Sequence, residues 1–242
     1  HSNTRIKKYI TKAITSNFIH SYAYINKIRS DYISKLVKFA GKGFEKAFLM
    51  SAGTEATEAA FKLMRMHGQK IHKRRLGIIC FEGNWHGRTM ASQMMSANKK
   101  QKEWIGFHDK DIHHIPFPYP WLLKKKNEEQ FLENSIKELK KKIDFKKDIC
   151  GVMIETFQGW GAIFYPDKYI KLLHKICKKN NILVTFDEMQ AGFGRTGKNF
   201  GFQHYGIIPD LICCGKGMGG GVALSGVIGK KKIMDLPEVG NM

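Results

Sequence analysis

The chain has 242 residues, 43% hydrophobic and 26% charged, a globular composition that excludes a disordered or collagen-like protein. No apolar run approaches the roughly 20 residues of a membrane-spanning helix, and the opening HSNTRIKKYI lacks the apolar segment of a secretory signal. A formal net charge of +20 is also found in proteins that bind nucleic acid. We interpret it as a lysine-rich surface, because the basic residues are spread along the chain, with runs at 124–126, 140–142 and 230–232.

Helical spacing of apolar residues predicts helices at about 4–20 and 25–40. A third helix is expected after the turn 51–54, because an alanine-rich apolar stripe follows it. Glu55 and Glu58 lie in its first turns, where their negative charge interacts favourably with the positive end of the helix dipole.

Short, continuously apolar runs then predict strands that are buried on both faces. These runs are 76–81, 151–155, 182–187, 210–214 and 225–229. Amphipathic helices at about 128–142 and 166–179 fall between some of them. Strands alternating with helices indicate an α/β fold with an open, mostly parallel sheet and helices on both faces. The aromatic- and proline-rich stretch 104–127 is interpreted as a surface loop.

In such sheets ligands bind at the carboxyl ends of the strands. The strand at 182–187 ends in Asp187 and continues into EMQAGFGRTG, and the strand at 210–214 continues into GKGMGGG, which contains Lys216. A carboxylate at a buried strand end and a lysine among glycines are what a cofactor that handles amines requires.

Blocks that occur in the order SAGTEATEAAFKLMR, NWHGRT, DEMQAGFGRTG and PDLICCGKGMGGG resemble the class-III aminotransferases. This is the pyridoxal-phosphate family of ornithine and 4-aminobutyrate aminotransferases. The resemblance implies a fold type I large domain over 44–242, preceded by an N-terminal helical segment over 1–43. That domain is expected to be incomplete, with the C-terminal small domain lying outside the chain.

The resemblance also implies a function. A homodimeric transaminase would use pyridoxal 5'-phosphate to move an amino group from an amine or amino acid to a keto acid or aldehyde. No nucleic-acid or membrane partner is implied. Five cysteines, an odd number without a C-x-x-C pair, favour a reducing, cytoplasmic setting.

The catalytic residues implied by the resemblance are Lys216 and Asp187. Lys216 would form the Schiff base with the cofactor and shuttle the proton. Asp187 would keep the pyridine nitrogen protonated. Gln190 matches the family amide that reaches the phenolic oxygen, and Met189 would lie against one face of the ring.

The same motifs supply the remaining cofactor contacts. Gly53 and Thr54 open a helix whose free amides suit a phosphate, Trp85 occupies the position of a stacking aromatic residue, and His86 adjoins it in NWHGRT. Structural interpretations stay open: a surface lysine for Lys216, a turn residue for Asp187, a helix cap for Gly53 and Thr54, and a buried core residue for Trp85.

The chain departs from the family at three positions. Thr156 and Ala223 stand where prolines are common. Trp160 stands where the ornithine and 4-aminobutyrate enzymes have a glutamate that engages an arginine. The amino donor and acceptor are therefore left open.

Other signals are given structural interpretations. Residues 192–197 match G-x-G-x-x-G, but no helix is predicted to follow, so a dinucleotide site is not expected. His108, His113 and His114 are interpreted as loop histidines without a metal. Two alternative functions remain. An aminomutase or racemase of the same fold is disfavoured by the string 190–197, and a non-catalytic basic binding module by the presence of both Lys216 and Asp187.

Overall fold

A computed structural model describes residues 2–16, 24–123 and 127–242. The predicted end of the first helix (17–20) and the lysine run 124–126 lie outside these residues. The helices are α1 (Thr4–Thr15), α2 (Lys27–Ala40), α3 (Gly53–Ile71), α4 (Met90–Met95), α5 (Pro120–Leu123), α6 (Glu128–Lys140), α7 (Phe145–Asp148), α8 (Asp167–Lys179) and α9 (Lys231–Met234). The strands are β1 (Lys46–Met50), β2 (Gly77–Phe81), β3 (Ile112–Ile115), β4 (Ile149–Glu155), β5 (Phe157–Gln158), β6 (Ile163–Phe164), β7 (Leu183–Asp187), β8 (Leu211–Cys214) and β9 (Ser225–Gly229).

Within the described ranges, the main sheet has seven strands in the order β1-β9-β8-β7-β4-β2-β3. Strands β8, β7, β4, β2 and β3 are parallel, whereas β9 is antiparallel to both β8 and β1. The register places Glu155 opposite Asp187, and Asp187 opposite Cys213. The carboxyl ends of β4, β7 and β8 therefore meet at one edge of the sheet, which confirms the predicted mostly parallel α/β architecture.

Helices cover both faces of the sheet. Along β2, Ile78 and Cys80 pack into one buried cluster with α3, α4 and α9, while Ile79 and Phe81 pack into another with α2, α6 and α8. The central strands are buried on both faces for this reason, and their apolar runs are continuous.

Helix α3 begins within the predicted 51–54 turn and packs against the sheet. The Glu55 carboxylate accepts hydrogen bonds from the backbone N–H groups of Ser51 and Ala52, both at 2.9 Å. The helix then buries the stripe Ala56, Ala59, Ala60, Leu63 and Met64. Because this stripe packs on the central strands, the N-terminus of α3 is held at the carboxyl edge of the sheet.

The interpretation of 104–127 as a surface loop is wrong. Residues Ile112–Ile115 form the edge strand β3, parallel to β2, and Phe117 is fully buried. His113 and His114 lie within this strand and interrupt its apolar pattern, so the two are not loop histidines. Strand β1 was not predicted either.

The five predicted strands and the helices at 25–40, 128–142 and 166–179 are present with shifted ends. Within the described ranges, no helix combines the length and apolar character needed to span a bilayer.

Candidate active site

A cavity of about 180 Å³ lies at the carboxyl edge of the sheet. Its lining comes from the ends of β4, β7 and β8, the segment after β2 and the start of α3. The lining residues are Gly53, Thr54, Trp85, His86, Gly87, Glu155, Asp187, Met189, Gln190 and Lys216. Every residue that the sequence predicted for the site is in this set, together with Gly87 and Glu155, which it did not predict.

Lys216 follows the buried strand β8 and has an exposed side chain. Its φ is +46°, a left-handed conformation that costs a non-glycine residue on the order of 1–3 kcal/mol. Gly215 before it is in close contact with Met189, since a Cβ at Gly215 would lie 2.7 Å from the Met189 Sδ. The lysine is thus held at the cavity by a strained backbone.

Asp187 and His86 form a buried pair. The Asp187 Oδ2 lies 2.9 Å from the His86 Nδ1, and its Oδ1 accepts the Met189 N–H at 3.1 Å. The backbone of His86 is fixed by the hydroxyls of Ser96 and Thr57, each at 2.8 Å. These bonds hold the Asp187 carboxylate in one orientation.

The Nε2 of His86 is buried without a hydrogen-bond partner among the described residues. The His86 side chain is completely buried, and a buried polar atom without a partner is uncommon in folded proteins.

Glu155 is a second buried carboxyl group, opposite Asp187 in the sheet. Its Oε2 accepts the Trp85 N–H at 2.9 Å. Burial, and then the neighbouring Asp187 carboxylate, raise the pKa of Glu155 to about 8. Glu155 is therefore mainly protonated at neutral pH, whereas the sequence offered only a glutamate at a strand end.

Gly159 lies close to two side chains of this cluster. A Cβ there would lie 1.9 Å from the Gln190 Nε2 and 2.8 Å from the Glu155 Oε1. The turn after β5 therefore packs directly on two residues of the cavity wall.

The start of α3 is tied to the segment after β2 by hydroxyl groups. The Thr54 and Thr89 hydroxyl oxygens lie 2.6 Å apart, and Thr89 donates to the Glu58 Oε1 at 2.6 Å. Gly87 has φ +144°, and a Cβ there would lie 2.4 Å from the Thr54 Oγ1. The first N–H groups of a helix have no intrahelical acceptor, so this corner of the cavity suits an anion.

Met189 and Trp85 are the apolar walls of the cavity. A Cβ at Gly53 would lie 2.8 Å from the Met189 Sδ, so the methionine packs tightly on the start of α3. The Arg88 guanidinium lies over the Trp85 ring at 5.2 Å. A second cavity, of about 460 Å³, adjoins the first and shares Trp85 and Gln190 with it.

The other signals in the sequence do not enter this site. Residues 192–197 form turns, and the next helical element, Gly201–Tyr205, is a short 3-10 turn. No group of His, Cys, Asp or Glu suited to a metal is found among the residues that the structure describes. The His114 Nε2 lies 3.0 Å from the Met95 carbonyl oxygen, and burial lowers the pKa of this histidine to about 4.

The site fits a planar, phosphorylated, aromatic cofactor. An anion corner, two apolar walls, a buried carboxylate and a lysine surround one small cavity. The sheet with these groups at its carboxyl edge is the fold type I large domain of pyridoxal-phosphate enzymes.

Solved transaminases share the fold. An (S)-enantioselective omega-transaminase from Thermomicrobium roseum superposes with a TM-score of 0.88 at 24% identity, covering 98% of this chain and 55% of that one. Taurine:2-oxoglutarate aminotransferase from Bifidobacterium kashiwanohense, solved with pyridoxal phosphate and glutamate, gives 0.86 at 24% identity over 97% and 54% of the two chains.

The sequence profile of the family described as aminotransferase class-III matches residues 1–242, and the chain belongs to that family. Acetylornithine aminotransferase of Methanocaldococcus jannaschii is 33% identical over 96% of this chain and 54% of its own length. LysW-aminoadipate semialdehyde/glutamate semialdehyde transaminase of Sulfurisphaera tokodaii is 34% identical over 93% and 52%. The chain spans about half the length of these curated relatives.

Proposed function

We propose that the protein is a pyridoxal-phosphate-dependent transaminase that moves an amino group from an amine or amino acid to a keto acid or aldehyde. The observation that carries the proposal is the single small cavity shared by Lys216 and the buried Asp187–His86 pair. Membership of the class-III family supports it. The bound cofactor would supply an aldehyde carbon that takes up amines and an electron-withdrawing pyridine ring.

The residues around the cavity would hold this cofactor as follows. Gly53 and Thr54 would bind its phosphate through backbone N–H groups at the positive end of α3. Trp85 and Met189 would contact the two faces of the ring, and Gln190 its phenolic oxygen.

Asp187 would hold a proton on the pyridine nitrogen. Its orientation is set by the hydrogen bond to the His86 Nδ1, so His86 acts through Asp187. A carboxylate that is fixed in a buried site stabilises positive charge without reorganising.

The Lys216 Nζ would take a proton from the carbon that bears the reacting amine and return it later in the transfer. A general base in this role has to reach both the carbon that gives up the proton and the carbon that later receives it, from one side of the cavity. Lys216 lies on a flexible stem at the cavity wall, which supports this role.

Replacing Lys216 tests the proposal. With full-length protein, Lys216→Ala should lose both the visible absorbance band of lysine-linked cofactor and transamination, because Lys216 alone among the described lysines lines the cavity. Lys198→Ala, at an exposed lysine of a nearby loop, should keep both. Transamination retained in purified Lys216→Ala, or racemised or isomerised product in place of a keto acid, would contradict the proposal.

We also infer the setting and assembly of the protein. All five cysteines are free and buried, which supports a reducing cytoplasm. A homodimer is supported by apolar side chains exposed on α1. We further propose that residues 44–242 form the cofactor-binding domain, that 1–43 form a helical segment before it, and that neither nucleic acid nor a membrane is a partner.

A further inference from the structure

A cavity of about 520 Å³ lies at the edge of the sheet opposite the candidate active site. Its lining includes Leu183, the first residue of β7, and Asp210, which directly precedes β8. Lys230 also lines it and follows β9, which runs antiparallel to β8. This amino-edge cavity therefore lies at the starts of the parallel strands, whereas Asp187 and Lys216 mark their carboxyl ends. Among the described residues, the two cavities share no lining residue.

Positive charge predominates in the amino-edge cavity. Three lysines line it, namely Lys178 from α8, Lys230, and Lys232 from α9, and Asp210 is the one carboxylate among the described lining residues. The Asp210 Oδ1 lies 2.7 Å from the Lys230 Nζ, and its Oδ2 accepts the Val184 N–H at 2.9 Å. Neither Lys178 nor Lys232 forms an ion pair with a described residue. Two ammonium groups are thus left without a counter-ion.

The C-terminal ends of α3 and α8 also border this cavity, and each end contributes about half a negative charge. At α8 this charge is offset by Arg75, whose guanidinium donates to the carbonyls of Asn180 at 2.6 Å and Asn181 at 3.2 Å. Together with Lys178 and Lys232, the guanidinium outweighs the two helix ends. The cavity therefore favours an anion.

Two half-buried histidines line the same cavity. The His67 Nε2 lies 3.3 Å from the Asn181 carbonyl oxygen, and the His174 Nε2 lies 3.2 Å from the Ile208 carbonyl oxygen. A carbonyl oxygen only accepts, so each Nε2 carries a hydrogen and each Nδ1 is the atom that takes up a further proton. An anion bound beside these rings would favour that protonation.

The surroundings of the two histidines keep them neutral when no anion is bound. Burial is the largest cause that lowers the pKa of both His67 and His174, and neighbouring cations act in the same direction. The Asp210 carboxylate and the hydrogen bonds to the two carbonyl oxygens act against it. The cations concerned are Arg75 and Lys232 for His67, and Lys178 and Lys230 for His174.

We propose that the amino-edge cavity binds a small phosphate ester, with the phosphate at Lys178 and Lys232 and the rest of the ligand against Ile207 and Ile208. This site does not depend on the proposed function, since it lies at the other edge of the sheet.

The size and the walls of the cavity support a small ligand. Pockets for small molecules have volumes of roughly 300–1,000 Å³ and combine apolar walls with a few charged groups. Ile207 and Ile208 provide such a wall, and a Cβ at Gly43 would lie 2.8 Å from the Ile208 Cγ2, so Ile208 is closely packed. Lysine binds phosphate as a point charge, and two lysines match a phosphate dianion better than a carboxylate with a single charge.

Titration calorimetry with phenyl phosphate tests the proposal. The protein is the full-length chain loaded with pyridoxal phosphate and freed of the excess, at constant ionic strength. Phenyl phosphate should saturate one site per chain and should bind about tenfold more tightly than benzoate, which has the same ring and one charge, a ratio that corresponds to about 1.4 kcal/mol. Absence of saturable binding, or equal binding of benzoate, would overturn the proposal.

Substitutions of equal charge locate the site. Lys178→Ala with Lys232→Ala should weaken phenyl phosphate binding by about tenfold or more. Lys179→Ala with Lys231→Ala removes the same charge at the adjacent exposed positions of α8 and α9, and it should leave the affinity within about twofold. Circular dichroism checks the fold of both variants. Equal weakening in the two variants would show a general effect of surface charge and contradict the site.

Replacing the carboxylate should have the opposite effect. Asp210→Asn removes the negative charge and keeps an oxygen for the Val184 N–H, so phenyl phosphate should bind about threefold or more tightly. Unchanged or weaker binding in this variant, at an unchanged circular dichroism spectrum, would contradict the placement of the phosphate.

Histidine NMR gives a second readout of the location. Phenyl phosphate should raise the pKa of both His67 and His174, and it should leave that of His204 unchanged, an exposed histidine that does not line the cavity. A shift at His204 alone, or at none of the three, would place the ligand elsewhere. Displacement of phenyl phosphate by a short DNA duplex would identify the surface as a nucleic-acid site and overturn the small-ligand assignment.

Discussion

Asp187 and Glu155 are adjacent buried carboxyl groups that the structure treats differently. Asp187 pairs with the His86 imidazole and the Met189 N–H, whereas Glu155 accepts the Trp85 N–H beside the Asp187 charge. Two like charges on directly opposite residues of neighbouring strands are unfavourable in a buried site. Glu155 is therefore the carboxyl group of the two that is mainly protonated at neutral pH.

Asp187→Asn should leave the fold and cofactor binding in place and lower the rate of transamination by about 100-fold or more. The amide keeps the shape of the side chain but cannot hold a proton on the pyridine nitrogen. Single-turnover absorbance kinetics with a donor amine measure the rate, and circular dichroism checks the fold. A rate within a few-fold of wild type would show that another group supports that nitrogen.

Glu155→Gln should change how stability depends on pH. The pKa of Glu155 is raised from 4.5 to about 8 in the folded state, so between these values the folded protein binds more protons than the unfolded chain. Its contribution to the unfolding free energy therefore falls as pH rises through this window, by at most about 1.4 kcal/mol per pH unit. The glutamine variant should show a shallower decline, because it cannot titrate.

Urea unfolding of cofactor-free protein at several pH values between 5 and 8 measures this slope. Glu82→Gln, at an exposed glutamate, is the control and should keep the wild-type slope. If Glu155→Gln and wild type have the same slope, Glu155 is not protonated in the folded protein.

At the scale of elements, the packing of α3 on the sheet decides where the anion corner lies. Gly68 near the end of α3 is buried, and a Cβ there would lie 2.0 Å from the Arg75 carbonyl oxygen and 2.5 Å from the Cys150 Cβ. Arg75 cannot easily withdraw, since its guanidinium donates to the carbonyls of Ile149 at 2.7 Å and Asn180 at 2.6 Å. Close packing here therefore depends on glycine.

Gly68→Ala should lower the unfolding free energy by about 1–3 kcal/mol through overpacking, although alanine has the higher helix propensity by about 1 kcal/mol. Gln69→Ala, at the next and exposed position, should change it by no more than about 0.5 kcal/mol. Urea unfolding of the two variants measures both changes in the unfolding free energy. An increase in stability for Gly68→Ala would mean that α3 can shift away from the sheet without cost.

The sequence predicted the central strands because they are buried on both faces and read as continuous apolar runs. It failed at β1 and β3, which are the two edges of the sheet. Their residues are partly exposed, and β3 carries His113 and His114 at its centre. The two histidines weaken the apolar pattern of β3, whereas β1 does contain the continuous apolar run 47–50.

The candidate site, like the fold, could be predicted from the sequence only in part. Strand ends and glycine-rich turns indicated which edge of the sheet binds the ligand, and the predicted side chains do line one cavity there. The role of Glu155 depends on its register with Asp187 and on the turn at Gly159. These are consequences of strand order, which the sequence pattern does not contain.

At the scale of the whole molecule, α1 is a long helix with little burial. It has no buried residue, and Tyr9, Ile10 and Ile14 are 67%, 41% and 58% exposed. Ile6 on the same helix contacts the loop after Lys216, since a Cβ at Gly220 would lie 2.7 Å from the Ile6 Cδ1. A helix with an exposed apolar stripe next to the active site favours an interface between two copies.

Full-length protein should therefore sediment as a homodimer at micromolar concentration, and the double substitution Ile10→Lys with Ile14→Lys should shift it toward monomer. The two isoleucines lie one turn apart on one face of α1, and placing two lysines there adds charge that a self-complementary interface cannot pair. Thr11→Lys with Thr15→Lys adds the same charge at exposed polar positions of α1 and should leave the dimer intact. An unchanged dimer in the isoleucine variant would place the dimer interface elsewhere. A monomeric wild type would exclude the homodimer.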